Sequence, residues 1–174
     1  MGNKNKTKKL VTISILLSIS IVLSIVEPAF LLGVPGAKLG LANIITLVVL
    51  YLYTPKDAAL LLFLRVFLVG LVYSGIWSLT FQLSLGGGTL AVLLMILVKK
   101  TNRFTIISVS VMGSLGHATG QIFVAMMVMS TPFLVYYLPV LFMMSVPAGL
   151  FIGYTSKMFI KRANDLNLIE TAEN

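Results

Sequence analysis

The chain has no cysteine, one histidine and only five acidic residues among its 174. Without cysteine there is no disulfide, no thiolate nucleophile, no zinc–thiolate site and no thiolate-held iron–sulfur cluster. The lone His117 excludes a multi-histidine metal centre, and the sequence implies no cofactor and no metal. The acids are Glu27, Asp57, Asp165, Glu170 and Glu173, with no two aspartates adjacent, so carboxylate-rich catalysis lacks its material. A Ser/His/Asp triad fails as well, because both aspartates fall at the ends of apolar runs, away from His117. Charge of either sign is scarce at 10%, against 58% hydrophobic residues. With a mean hydropathy of +1.03, this composition excludes a water-soluble globule and points to a multi-pass membrane protein.

What is present is a series of apolar runs separated by proline, glycine and lysine. A bilayer core of about 30 Å takes roughly 20 apolar residues per helix, and six spans of that order can be drawn. They cover Leu10 to Val26, stopping at Glu27-Pro28, then Lys38 to Tyr53, Ala58 to Tyr73, Ile76 to Val98, Phe104 to Met129 and Phe133 to Ile160. Only Ser74-Gly75 separates the third from the fourth, so five spans with a re-entrant segment is the alternative. The predicted fold is thus all-α and integral to the membrane, with six transmembrane helices in one domain over 10–160. A basic N-terminus (1–9) and a polar tail (161–174) flank it. The formal net charge of +8 belongs to topology and not to nucleic acid, for which no basic stripe with interleaved aromatics exists. Lys4, Lys6, Lys8, Lys9, Lys56, Lys99, Lys100, Arg103, Lys157, Lys161 and Arg162 all fall on one side when the spans alternate. By the positive-inside rule that side is the cytoplasm, and both termini lie there. The first run has no small-residue cleavage site and is expected to remain in the membrane as a helix.

Several residues do not suit lipid. Arg65 stands in the middle of the third run, where a central arginine costs about 2.5 to 3.5 kcal/mol; it needs either a structural ion pair with Glu27 or a ligand. Lys38 is at the outer end of the second span, where it can snorkel as an anchor or meet a ligand. On the fifth span Ser110, Gly113, Ser114, His117, Gly120 and Gln121 share an arc of about 120°, a polar, small-residue stripe that should face protein or a cavity. Gly86-Gly87-Gly88 and His117 both stand about 20 Å above the basic ends of their helices. Three glycines at that depth mean close helix packing or a broken helix lining a cavity. The sixth span, with Pro132, Pro139, Pro147 and Gly149-xxx-Gly153, should be kinked and closely packed. The first offers two small-residue edges, Ser14 with Ser18 and Ser20 with Ser24, along which another helix can approach.

The segments Pro35-Gly36-Ala37-Lys38-Leu39-Gly40-Leu41-Ala42-Asn43, Leu64-Arg65-Val66, Ser84-Leu85-Gly86-Gly87-Gly88 and Gly116-His117-Ala118-Thr119-Gly120-Gln121 resemble a family described both as Gx transporters and as heptaprenyl diphosphate synthase component I. The resemblance extends over about residues 8 to 162, and Ala118 stands where that family usually has asparagine. It implies ligand-binding roles for Lys38, Asn43, Arg65, Gly87, Gly88, His117 and Gln121. The family is in turn similar in size and span count to the substrate-binding S components of energy-coupling factor (ECF) transporters. Those take substrate near the outer surface and dock, through a small-residue face of the first helix, on a transmembrane T component bearing two ATPases. Ser14, Ser18, Ser20 and Ser24 would form that face here, with serines in place of the usual alanines.

Together these readings predict a bacterial inner-membrane binding subunit with no reaction of its own. Its ligand is expected to be small and anionic, resembling a vitamin, a flavin or an isoprenoid or quinone precursor. The alternative is a non-catalytic membrane accessory subunit for polyprenyl diphosphate or quinone biosynthesis. A prenyl diphosphate synthase itself would require paired aspartate motifs to hold Mg²⁺ on diphosphate.

Overall fold

The structure, a computed structural model, describes residues 2–30 and 40–165, which are helical apart from short connections. Six helices follow in order: α1 (Gly2–Phe30), α2 (Asn43–Leu52), α3 (Pro55–Val69), α4 (Leu79–Lys100), α5 (Ile106–Met129) and α6 (Leu138–Asp165). A π-helical turn, Gly70–Ser74, prolongs α3, and a 3₁₀ segment, Pro132–Tyr137, precedes α6. Local chemistry sets the helix starts. Thr54 and Asp57 form a reciprocal capping box ahead of α3, with Pro55 in the first turn where its missing N–H costs nothing. Ser78 caps α4 by accepting from Phe81 N (3.1 Å), and Thr105 caps α5 by accepting from Ser108 N (3.2 Å).

Among the described residues, five helical stretches are long and apolar enough to cross a membrane: Lys6–Glu27, Pro55–Ser74, Leu79–Lys100, Ile106–Met129 and Pro132–Asp165. The protein is therefore a multi-pass, all-helical membrane protein. The expected second span differs. Its described helix, α2, has ten residues and a length of about 15 Å, half the thickness of the hydrocarbon core. Burial explains how so short an apolar helix persists: α2 is surrounded by α1, α3, α4 and α6, and Leu47, Val48 and Val49 are fully enclosed. A helix apolar all round and wrapped by protein has no lipid thickness to match. The first span also departs from expectation. Instead of stopping at Glu27-Pro28, α1 continues to Phe30 and takes in the basic N-terminal residues from Gly2. At the other terminus α6 passes Ile160 and ends at Asp165.

Basic residues gather at one end of the bundle. There Lys9 Nζ pairs with Asp57 (2.8 Å), tying α1 to α3, and Lys99 Nζ donates to the Leu50 carbonyl (2.6 Å), tying α4 to α2. The last turns of α6 join them, since Ile160 and Ala163 pack on Val48 and Leu52.

The glycines of α4, α5 and α6 determine how closely these helices approach. The α4 helix runs unbroken through Gly86-Gly87-Gly88, so of the two readings of that triplet the structure selects packing. A Cβ on Gly120 would stand 2.6 Å from the Gly86 carbonyl oxygen and 2.9 Å from Gly87 Cα, which places the two backbones in direct contact. On the other side of α5, Gly149 and Gly153 of α6 face Val111 with Ser114 and Ile107 with Ser110. The whole polar stripe of α5 is thereby buried. Pro147 lies inside α6, two residues before the close approach at Gly149.

Candidate functional site

In the half of the bundle away from the basic end, the helices leave a polar cavity. α1 contributes Ser24 and Glu27, and the entry to α2 contributes Gly40, Ala42 and Asn43. Arg65, Val66, Val69, Tyr73 and Ser74 come from α3 and its π turn, Thr80, Phe81 and Ser84 from the start of α4, and His117 from the middle of α5. Arg65 is ten residues into α3, about 15 Å from its capped start. Of its surface only 5% is exposed, and Asn43 is 2% exposed.

The charge arrangement is specific. The buried Glu27 supplies the opposite charge that acts on Arg65, as expected for a guanidinium that must be compensated inside a membrane protein. Glu27 also fixes the chain before α2, because the Gly40 N–H donates to its Oε1. Gly40 has φ +73°, and a Cβ there would stand 2.9 Å from Asn43 Nδ2. Left-handed backbone and close approach both demand glycine at this point. Two donors of residues that line this cavity, Arg65 Nη1 and Asn43 Nδ2, are buried with no hydrogen-bond partner. An unmatched buried donor costs about 1 to 3 kcal/mol, more when charged, so two of them from the lining of one cavity suit an acceptor-rich guest.

The cavity is small, about 40 Å³, which is room for about three waters or for one compact head group. It cannot enclose a ring system as it stands.

Three of the sequence-expected ligand residues, Asn43, Arg65 and His117, meet on this cavity. Three others lie at helix contacts. Gly87 receives the His117 carbonyl and the Gln121 side chain, and Gly88 receives the Leu62 methyls. Gln121 is 4% exposed and sits behind His117, on the α4 interface. Lys38 lies outside the described residues. The serine edges separate: Ser14 and Ser18 are exposed on the outer face of α1, whereas Ser20 is enclosed and Ser24 lines the cavity. The two edges of α1 therefore differ in exposure, Ser14 with Ser18 outward and Ser20 with Ser24 inward.

Sequence reasoning treated Glu27 only as a partner for Arg65 and missed Gly40, Thr80 and Ser84. Thr80 and Ser84 are four residues apart on the first turns of α4, a spacing that signals a polar edge. Gly40 stands three residues before Asn43, the spacing of a turn entering a helix.

The chain matches the sequence profile of the heptaprenyl diphosphate synthase component I family over residues 16–159. An all-helical membrane domain of this kind, matched over most of its length, belongs to that family. No curated protein and no solved structure matches it.

Proposed function

We propose that the chain is a membrane substrate-binding subunit of the S-component type, which takes up a small anionic ligand and works with a transmembrane T component and two ATPases. The observation that carries this reading is the cavity, where unmatched N–H donors of Arg65 and Asn43 converge beside Glu27 and His117. Its position supports capture from outside: if the basic end is cytoplasmic by the positive-inside rule, the cavity occupies the outer half of the bacterial inner membrane. The outward Ser14–Ser18 edge supplies the small-residue docking face. On this reading the role is binding and translocation. Asp57 is committed to the α3 cap and to Lys9, and Asp165 is the last residue of α6; neither is placed to share a Mg²⁺ with the other in a diphosphate site.

Family membership favours a second reading, an accessory subunit that anchors a soluble, aspartate-rich synthase to the membrane. Purification in mild detergent separates the two. The first predicts co-purification with a T component and ATPases, together with an anionic small molecule retained by the wild type and detected by native mass spectrometry. That molecule should be lost from Arg65→Ala while the thermal midpoint stays close to wild type, and only partly restored by Arg65→Lys, which lacks the guanidinium fork. Recovery of the synthase without any Arg65-dependent ligand would select the second.

A further inference from the structure

A second concavity adjoins the polar one. On the lipid-facing side of α3 and α4 an open groove of about 500 Å³ is lined by Leu60, Leu64, Val66, Phe67, Phe81 and Leu85. Val66 and Phe81 line the cavity as well, so that pair is the wall the two spaces share. Along α4 the division is periodic: Thr80 and Ser84 face the cavity, and their neighbours Phe81 and Leu85 face the groove. Phe81 is half-buried, and its ring rests on bare Gly70, where an added Cβ would stand 2.5 Å from Cδ2. Gly70 opens the π-helical turn at the end of α3, a local widening of the kind that recurs at functional sites. The ring therefore sits at the seam between a donor-rich space sized for a head group and an apolar trough sized for a chain.

From this junction we infer that the site takes a single-chain amphiphile, with an acceptor-rich anionic head at Arg65 and Asn43 and a hydrocarbon tail along the α3–α4 groove, admitted sideways from the bilayer past Phe81. The inference rests on the proposed binding role and deepens it by naming the ligand class. It also accounts for the size of the cavity, which needs to hold only the head. The tail exchanges lipid contacts for protein contacts and contributes little net attraction, so the head supplies most of the selectivity.

The test uses the full chain in lipid nanodiscs and a dodecyl phosphate carrying a photoactivatable diazirine at mid-chain. Peptide mapping should place the label in residues 60–67 and 81–85. Excess dodecyl phosphate should displace it and dodecanol should not. Arg65→Gln should lower labelling there by about tenfold or more, as expected for the loss of a charge-assisted contact, and Leu64→Trp, on the lipid side, should reduce it without altering inorganic phosphate binding. Native mass spectrometry and thermal midpoints check that both variants are folded. Labelling spread over other lipid-facing positions such as Phe151 and Met158, or groove labelling indifferent to Arg65→Gln, would overturn the inference. If inorganic phosphate binds in an Arg65-dependent way while the groove stays unlabelled, the amphiphile is refuted and the anion-binding role stands. Loss of Arg65-dependent binding for both probes refutes the two together.

Discussion

Two glycines thirty-two positions apart show how differently the same residue can be used. Gly120 faces backbone, the Gly86 carbonyl and Gly87 Cα, and a helix axis must move before a methyl group fits. Gly88 faces only the methyl ends of Leu62, which can turn aside. Gly120→Ala should therefore lower stability by about 1 to 3 kcal/mol, the range for overpacking. Gly88→Ala should cost less, because a rotamer change absorbs the contact and alanine favours helix by roughly 1 kcal/mol over glycine. Thermal denaturation in detergent, followed by circular dichroism, gives the order directly. Equal losses for both would mean that α4 and α5 are farther apart than the backbone contacts require. Arg65 is the opposite kind of residue, a charge held by Glu27 and still carrying an unused N–H.

At the scale of a single element, α1 is the informative case, because among the described residues it packs mainly on α2 and α3 and leaves a long outer face. Leu10, Val11, Ile15, Ile19 and Val22 are exposed along it, and Ser14 and Ser18 form a flat strip among them. The Ser18 hydroxyl donates to the Ser14 carbonyl (3.0 Å), and the small side chains of the strip let another helix approach it closely. Replacing Ser14 and Ser18 together by leucine should abolish co-purification of a partner membrane subunit while retained ligand and thermal midpoint hold. Ser20→Leu should instead destabilise the fold, since Ser20 is enclosed. Partner association that survives the double leucine variant would remove α1 as the docking helix. The short α2 makes the complementary point: it is held on every side, and its role is to present Asn43 to the cavity from a rigid core.

For the whole molecule, the tie of Lys9 to Asp57 and of Lys99 to the Leu50 carbonyl brings the starts of α1 and α3 and the ends of α2 and α4 to one level. A partly exposed ion pair such as Lys9–Asp57 adds about 1 kcal/mol, so these contacts register the helices more than they stabilise them. The basic residues at that level predict cytoplasmic exposure. Reporters fused after Asn174 or inserted near Lys99 should respond as cytoplasmic, and those near Gly33 or Thr131 as external. An external C-terminal reporter would reverse the orientation and move the cavity to the inner leaflet.

The membrane character, the helical class and the inward stripe of α5 were legible in the chain, because hydropathy, helical period and charge asymmetry are properties of local sequence that the bilayer reads directly. Arg65 and His117 stood out as polar residues in otherwise apolar runs and Asn43 came from the family resemblance; the structure places all three on one cavity. Which glycines pack and which serines face outward was not, because the two serine edges of α1 and the two uses of the α4 triplet have the same composition and the same spacing. That choice is made by neighbours distant in sequence: Leu62 and His117 claim the glycines, and α2 with α3 encloses Ser20. The shortness of α2 and the sharing of Val66 and Phe81 by groove and cavity belong to the tertiary structure alone, for only the packing of α1, α3, α4 and α6 around α2 can bury a helix too short for the membrane.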